Sequence, residues 1–136
     1  MLDMQQRSHP LDKLTAVASA EELRSCQEAV RGVHVDEKVR KYLMQIVHET
    51  RDHDDLALGG SPRASIALFR TSQAMAALLG RQFVLPDDVK RVAHSVLAHR
   101  LILRPESRLR KMTTTAVIDE IIGEVPVPTM AAEATR

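Results

Sequence analysis

Residues 58–80 read LGGSPRASIALFRTSQAMAALLG, and this stretch predicts the helix around which the domain is built. Two glycines interrupt the chain, Ser61 is expected to cap a helix, and Pro62 occupies its first position, where a missing amide costs nothing. Apolar residues then continue on more than one face as far as Leu79. We therefore expect a central helix with close neighbours, ended by Gly80 in the left-handed conformation.

Four further helices are predicted by apolar residues at three-four spacing. Ser19 and Glu22 form a capping box that opens the first, and Asp36 is the N-cap of the second. The fourth helix in chain order starts at Pro86, and the last starts near Thr114. Leu23, Cys26 and Val30 define a narrow stripe on the first helix that we expect to be buried. The fold class is therefore all-α, a bundle of about five helices.

Two short segments are compatible with β-structure. GRQFV at 80–84 and RLIL at 100–103 are expected to pair as a two-stranded ribbon beside the bundle. A basic, polar loop should follow at 104–111. The expected domain boundaries are 1–17 for the end of a core or linker, 18–125 for the helical domain and 126–136 for a tail.

Composition excludes several classes of protein. The 136 residues are 44% hydrophobic but only 2% aromatic, and the net charge is +1. Neither figure favours binding to nucleic acid or to an anionic membrane. The single Cys26 leaves no internal disulfide and indicates a reducing compartment. The N-terminus does not resemble a signal peptide and no long apolar stretch occurs, so a cytoplasmic location is expected.

The usual motifs of a self-contained enzyme are absent, including GxxxxGK[ST], GxSxG, HExxH and CxxC. His48 and His53 would lie about 140° apart around a helix, which is poor geometry for one metal ion. The segment DHDD at 52–55 lacks the downstream glutamate of a calcium loop, so we interpret it as a solvated loop. Cys26 is interpreted as a small core residue. We therefore predict no metal site and no catalytic residue.

Arg63 is the unusual residue, because it places a cation at the positive end of a helix. Such a charge costs about 0.3–1 kcal/mol there. The glycine-rich turn leads into a helix start whose free amides form a natural anion site, and a guanidinium suits bidentate phosphate binding. The alternative is that Arg63 simply pairs with Asp54 or Asp55.

The run from 58 to 103 closely resembles the C-terminal helical lid of MoxR-type AAA+ ATPases. It contains a GxSPRA helix start, a turn of the pattern A-x-x-GR-x-[FY]-V-x-P-x-DV, and a VLxHRL segment, in that order. The flanking pieces HPLDKLTAV (9–17), YLMQIVHETR (42–51) and VPVP (125–128) also resemble that family. Leu85 departs from the pattern, since the family commonly has a capping Thr or Ser there, a cap worth about 1 kcal/mol.

This resemblance implies a function for the opening stretch. The arginine of SPRA is the family's sensor-two residue, which reaches the phosphates of ATP, and Arg63 matches it. Ser61 and Pro62 would set the helix start that aims Arg63. The expected nucleotide-binding residues are therefore Arg63, Ser61 and Gly60. ATP and magnesium would be held by an upstream AAA+ core in a homo-oligomeric, hexameric ring that assembles or matures client proteins. This chain alone would then be an inactive lid.

Two other interpretations remain at this point. A free-standing helical module that binds protein or DNA would use the basic residues Arg104, Arg108, Arg110 and Lys111, although the near-neutral charge argues against it. A small enzyme with an unrecognised site would lose its activity in an Arg63→Ala variant.

Overall fold

The computed structural model describes residues 14–129, and within them the chain forms a helical bundle with one small antiparallel ribbon. The helices are α1 (Ala20–Arg31), α2 (Glu37–Asp52), α3 (Pro62–Leu78), α4 (Pro86–Leu97), α5 (Pro105–Leu109) and α6 (Thr114–Glu124). A 3₁₀ turn at Ala98–Arg100 follows α4, and the strands are β1 (Leu56–Leu58) and β2 (Ile102–Leu103). The all-α fold class and the accompanying ribbon are thus confirmed.

Helix α3 is central, as predicted, because it packs against α1, α2 and α4. The core is aliphatic and comes mainly from four helices, with Val39, Leu43, Ile46 and Val47 on α2, Ala64, Leu68 and Ala76 on α3, Val89, Ala93 and Leu97 on α4, and Val117, Ile118 and Ile121 on α6. The alanines of α3 let its neighbours approach closely, which is why a chain with few aromatics can build a dense core. None of the described helices is long and apolar enough to span a membrane.

The ribbon has a different partner from the one predicted. β2 pairs with β1, with Leu56 opposite Leu103 and Leu58 opposite Ile102. The segment at 81–84 instead pairs with His34, whose amide donates to the carbonyl of Gln82 and whose carbonyl accepts from Val84, both at 2.9 Å. Residues 80–84 leave α3 on the side of the α1–α2 connection, so they never reach β2.

Helix α1 begins as predicted but is not buried as predicted. Ser19 and Glu22 form both bonds of the capping box, at 2.7 and 3.1 Å. The expected stripe is wrong, since Leu23 is 58% exposed, Cys26 is exposed, and no residue of α1 is fully buried. Apolar spacing identifies the apolar side of a helix, but it does not show whether another element packs against that side.

Two further predictions concern the segment 104–111 and the turn at Gly80. Residues 104–111 are not entirely a loop, because Pro105 at the first helical position and Glu106 in the first turn start the short helix α5. Gly80 has φ of +71° after α3, so its left-handed conformation is confirmed. The proposed segments 1–17 and 126–136 lie partly outside the described residues.

The start of α4 compensates for Leu85. Leu85 stands at the N-cap, and its side chain has no oxygen with which to cap the helix. Its amide, however, donates to Asp88 Oδ2 at 2.8 Å, so half of a capping box survives. Asp88 is buried, and its carboxylate also accepts hydrogen bonds from both terminal guanidinium nitrogens of Arg81, at 2.5 and 2.7 Å. This bidentate ion pair fixes the turn between α3 and α4.

Candidate functional site

The candidate site lies where the glycine pair delivers the chain into α3. A side chain at Gly59 would place its Cβ 2.3 Å from the carbonyl oxygen of Thr50, so only glycine fits there. The amide of Gly60 donates to Thr50 Oγ1 at 2.8 Å, and its carbonyl accepts from Arg51 Nε at 2.7 Å. Both peptide groups around Gly60 are therefore held by the last turn of α2, so the Gly60 amide is not free to bind an anion, which corrects the sequence prediction. The glycines position the helix start rather than merely interrupting the chain.

Ser61 occupies the N-cap position, but its side chain makes no capping hydrogen bond, which corrects the sequence prediction. The amide of Ala64, which an N-cap hydroxyl usually satisfies, donates instead to the carbonyl of Ser61 at 2.8 Å. Pro62 is at the first helical position as predicted, and it has no amide to satisfy. The Ser61 hydroxyl is thus exposed at the helix tip without a capping role.

Arg63 is exposed at the second position of α3. Among residues 14–129 it forms no ion pair, and the first turn of α3 contains no acidic residue. The alternative partner Asp55 is occupied elsewhere, by Arg110. Simple pairing of Arg63 with Asp54 or Asp55 is therefore not observed. The guanidinium remains available at a helix end that favours anions.

Two residues of this site were missed in the sequence. Thr50 and Arg51 hold Gly60 from the end of α2, as described above, and Arg51 brings a second guanidinium to the helix start. Thr50 is buried, and its hydroxyl also donates to the carbonyl of Val47 at 2.6 Å. The separation of nine or ten residues between a Thr-Arg pair and a glycine does not by itself reveal a contact. Only the return of the chain through β1 brings them together.

The basic cluster at 104–111 is partly committed to internal contacts. Arg110 Nη2 and the Ser107 hydroxyl both donate to Asp55 Oδ1, at 2.5 and 2.6 Å. Arg104 Nε donates to the carbonyl of Leu56 at 3.2 Å. Asp55 is therefore buried, which corrects the prediction that all of DHDD is solvated. These contacts attach α5 to β1, and they occupy two of the cations that a DNA-binding surface would need.

Three of the histidines each pair with a single carboxylate. His48 pairs with Asp52 at 3.0 Å, His94 with Asp119 at 2.8 Å, and His53 with Glu120 at 3.7 Å. In the described part of the chain, no group of three His, Cys, Asp or Glu side chains could hold a metal ion. The last two pairs join α6 to the rest of the bundle.

Comparisons with known proteins identify several relatives of this chain. The family model of the AAA lid domain matches residues 48–121, a span that includes Gly59, Gly60 and Arg63. An uncharacterised protein of Bacillus subtilis, YeaC, is 38% identical over 94% of this chain and 40% of its own length. Chaperone MoxR1 of Mycobacterium tuberculosis is 29% identical over 85% of this chain and 33% of its own. Protein MoxR of Paracoccus denitrificans is 34% identical over 71% of this chain and 33% of its own.

A solved structure supports the same grouping. A protein of Cytophaga hutchinsonii, described provisionally as an ATPase, superposes with a TM-score of 0.72 and 26% identity over 85% of this chain and 45% of that one. The chain thus spans less than half the length of these relatives, 33–40% for the three sequences above. The similarity covers the helical bundle and the glycine junction together.

Proposed function

This chain belongs to the AAA lid domain family and is of the MoxR type, and from that premise we propose that Arg63 contacts the phosphates of ATP held by an AAA+ core. The observation that carries the proposal is an exposed arginine at the start of a rigidly anchored helix, without an ion-pair partner in residues 14–129. A phosphate would offset the local cost of placing a cation on a positive helix end.

The geometry around Gly60 supports this role. Because Thr50 and Arg51 hold both sides of Gly60, the Arg63 backbone is fixed relative to α2 and moves with the whole lid. Because the backbone of Arg63 is held in place, its side chain starts from one fixed position, and precise contact with a phosphate requires such a position. Ser61, whose hydroxyl is free of a capping bond, would be a second polar group beside the phosphate. Gly60 would serve as the support rather than as a direct ligand.

The wider activity is part of the proposal. ATP and magnesium would be bound by the core, and hydrolysis there would change the angle of the lid through Arg63. We further propose that the protein works in the cytoplasm as a homo-oligomeric ring, hexameric by resemblance, that assembles or matures client proteins. This chain alone should neither hydrolyse ATP nor hold it measurably, since one arginine and a helix end cannot offset the entropy lost on binding.

DNA binding is the weaker alternative. Arg110 and Arg104 are engaged by Asp55 and by the carbonyl of Leu56, which leaves Arg108 and Lys111 as the exposed cations of that cluster without such a bond among the described residues. Since a carbonyl does not neutralise Arg104, three positive charges of the cluster lack an ion pair among residues 14–129, and three charges release few counterions from a duplex. A salt-dependent shift of duplex DNA at about 100 mM salt would favour this alternative over the lid function.

The test is ATP turnover by a protein in which this chain is joined to its AAA+ core. Arg63→Ala should lower kcat by about tenfold to a hundredfold, because it removes a charged donor to the transferred phosphate. Arg63→Lys should recover only part of the loss, since an ammonium cannot bind in the bidentate manner. Arg108→Ala is the matched control, an exposed arginine on α5 whose loss should leave turnover unchanged.

Oligomeric state must be measured alongside turnover, by sedimentation or light scattering. If Arg63→Ala turned over ATP at the wild-type rate in an intact assembly, the proposed contact with nucleotide would be wrong. A loss of turnover that merely followed dissociation of the assembly would also contradict a direct role at the phosphates.

A further inference from the structure

A groove along the outer side of α2 and α3 is not used by the proposed nucleotide contact. Its largest part has a volume of about 620 Å³ and a floor made of Leu43, Met44, Ile66 and Phe69. Met44 and Ile66 are 52% and 58% exposed, so this floor is open to solvent rather than part of the core. Apolar surface of this kind on a folded domain is typical of an interaction site.

Three arginines, Arg31, Arg40 and Arg70, also line this groove, and its lining contains no acidic residue. We call it the arginine groove. None of the three forms an ion pair within residues 14–129. They come from α1, α2 and α3 respectively, so the tertiary fold gathers them on a chain whose net charge is only +1. A cationic rim around an apolar floor is complementary to an acidic partner that carries apolar side chains.

A buried polar atom in the groove wall also lacks a partner. Ser65 is 7% exposed, and its hydroxyl is buried without a hydrogen bond in the described structure. Most buried hydroxyls are satisfied, because an unpaired one costs free energy. A hydrogen-bonding group of a partner would satisfy it only if the Ser65 hydroxyl turned toward the groove, because the atom is buried.

The groove is elongated, which favours a polypeptide over a small molecule. Two smaller hollows of about 460 and 230 Å³ continue from it along α2, and Met44 lines all three. Their lining residues extend from Glu37 to Arg51, about 21 Å along the helix axis. The one carboxylate in this extension, Glu37, is already paired with Lys41 at 2.8 Å. Exposed methionine is well suited to such a surface, because its side chain adapts to different partners.

We propose that the arginine groove binds an acidic segment of a separate polypeptide, with an apolar anchor side chain on the floor and carboxylates at Arg31, Arg40 and Arg70. This proposal does not depend on the role of Arg63, and it can be tested without nucleotide. The anchor would lie between Met44 and Phe69. An extended or helical segment could bind in this way, since both forms can present an apolar side chain flanked by carboxylates.

The probe is a synthetic peptide of about 12 residues with one tryptophan flanked by glutamates, long enough to span the groove. The chain contains no tryptophan, so the fluorescence of the peptide reports its own binding without a label. Titration with the 136-residue chain should shift the emission to shorter wavelength. Arg70→Glu should weaken binding about tenfold, and Ile66→Ser should weaken it as well. Both residues are exposed, so neither change should prevent folding.

Two controls separate groove binding from general attraction. Arg108→Glu makes the same charge change on α5, outside the groove, and should bind the peptide like the wild type. A peptide with lysine in place of every glutamate should not bind the wild type but should bind better to Arg70→Glu. Equal binding of both peptides, or equal weakening by Arg108→Glu, would overturn the proposal.

Other occupants of the groove give different results. If Arg70→Glu abolished a concentration-dependent dimer while the acidic peptide never bound, the groove would be an interface between copies and the proposal would be wrong. It would be equally wrong if the peptide bound only after removal of residues 1–13 or 130–136, because a terminal segment of this chain would then be the occupant.

Discussion

The amide of Gly60 donates a hydrogen bond of 2.8 Å to the buried hydroxyl of Thr50, and this contact fastens the start of α3 to the end of α2. The two residues are ten positions apart, so β1 and the glycine pair must turn the chain back on itself to bring them together. The position of Arg63 is therefore determined by α2. The position of the start of α3 depends on a tertiary contact, because the Ser61 side chain does not cap the helix.

Gly59→Ala should destabilise the domain by about 2 kcal/mol or more, because the added methyl would lie 2.3 Å from the Thr50 carbonyl oxygen and force backbone movement. Urea unfolding followed by circular dichroism measures this. Gly123→Ala is the matched control on α6, where a methyl meets nothing within 4 Å. That change should stabilise the chain by about 0.5–1 kcal/mol. Equal effects at the two glycines would contradict the described junction.

Thr50→Val should cost about 1–3 kcal/mol, since it keeps the shape of the side chain but leaves the amide of Gly60 buried without an acceptor. Thr50→Ser retains the hydroxyl and should keep the hydrogen bond, losing only the packing of one methyl. Amide hydrogen exchange at Gly60 distinguishes the two variants, with faster exchange expected in Thr50→Val alone. Protection of Gly60 in both variants would show that another group accepts its hydrogen bond.

Asp88→Asn should destabilise the chain by about 1–3 kcal/mol at neutral pH by weakening the contact with Arg81. Burial raises the pKa of Asp88, but the hydrogen bonds from Arg81 and from the Leu85 amide outweigh it, so the pKa is lowered from its ordinary value of 3.8. A lowered pKa contributes stability that is present above 3.8 and is lost as the pH falls through the value in the folded chain. The difference between wild type and Asp88→Asn should therefore shrink below that pH.

Unfolding free energies measured between pH 7 and pH 2 provide the check on Asp88. Asp87→Asn changes the neighbouring carboxylate, which is exposed in the same first turn, and should have a much smaller effect. A wild-type advantage over Asp88→Asn that stayed constant in acid would mean that the ionised carboxylate is not its source.

Cys26 should react with a thiol reagent such as dithionitrobenzoate in the native chain, because its residue is exposed on α1. Cys26→Ser should change stability by less than about 0.5 kcal/mol, as expected for a surface position. A burst of reaction in buffer, equal in extent to that in denaturant, is the expected result. A thiol that reacts only after unfolding would restore the sequence interpretation of Cys26 as a core residue.

The sequence predicted the helices well where caps and periodicity agree. Ser19, Asp36 and Gly80 each performed the predicted local role, because capping and left-handed turns depend on atoms only a few residues apart. Ser61 is the exception, since its carbonyl rather than its side chain satisfies Ala64. Such a choice between two acceptors on one residue cannot be made from residue type.

Contacts between distant segments were predicted poorly. The predicted strand partner of residues 100–103 was wrong, because β-propensity identifies a strand but not its neighbour. The actual partner, Leu56–Leu58, is too short to give a periodic signal. The burial of Asp55 depends on Ser107 and Arg110, more than fifty residues away. At the candidate site, the charge of Arg63 on a helix start and the family resemblance drew attention to it, and its role stays a prediction, whereas the contacts of Thr50 and Arg51 required the three-dimensional structure.

Because α3 is attached to α2 at Gly60 and packs against α1, α2 and α4, a tilt at its start would turn the whole bundle with it. From Arg63 to Leu78, whose side chain is exposed, α3 extends about 23 Å along its axis. A tilt of about 10° at the anchored tip would carry the far end through about 4 Å, roughly the width of a methyl group, by simple geometry on that length. Small displacements at a phosphate would therefore be amplified at the opposite end of the bundle, where Leu78 and Leu79 face solvent.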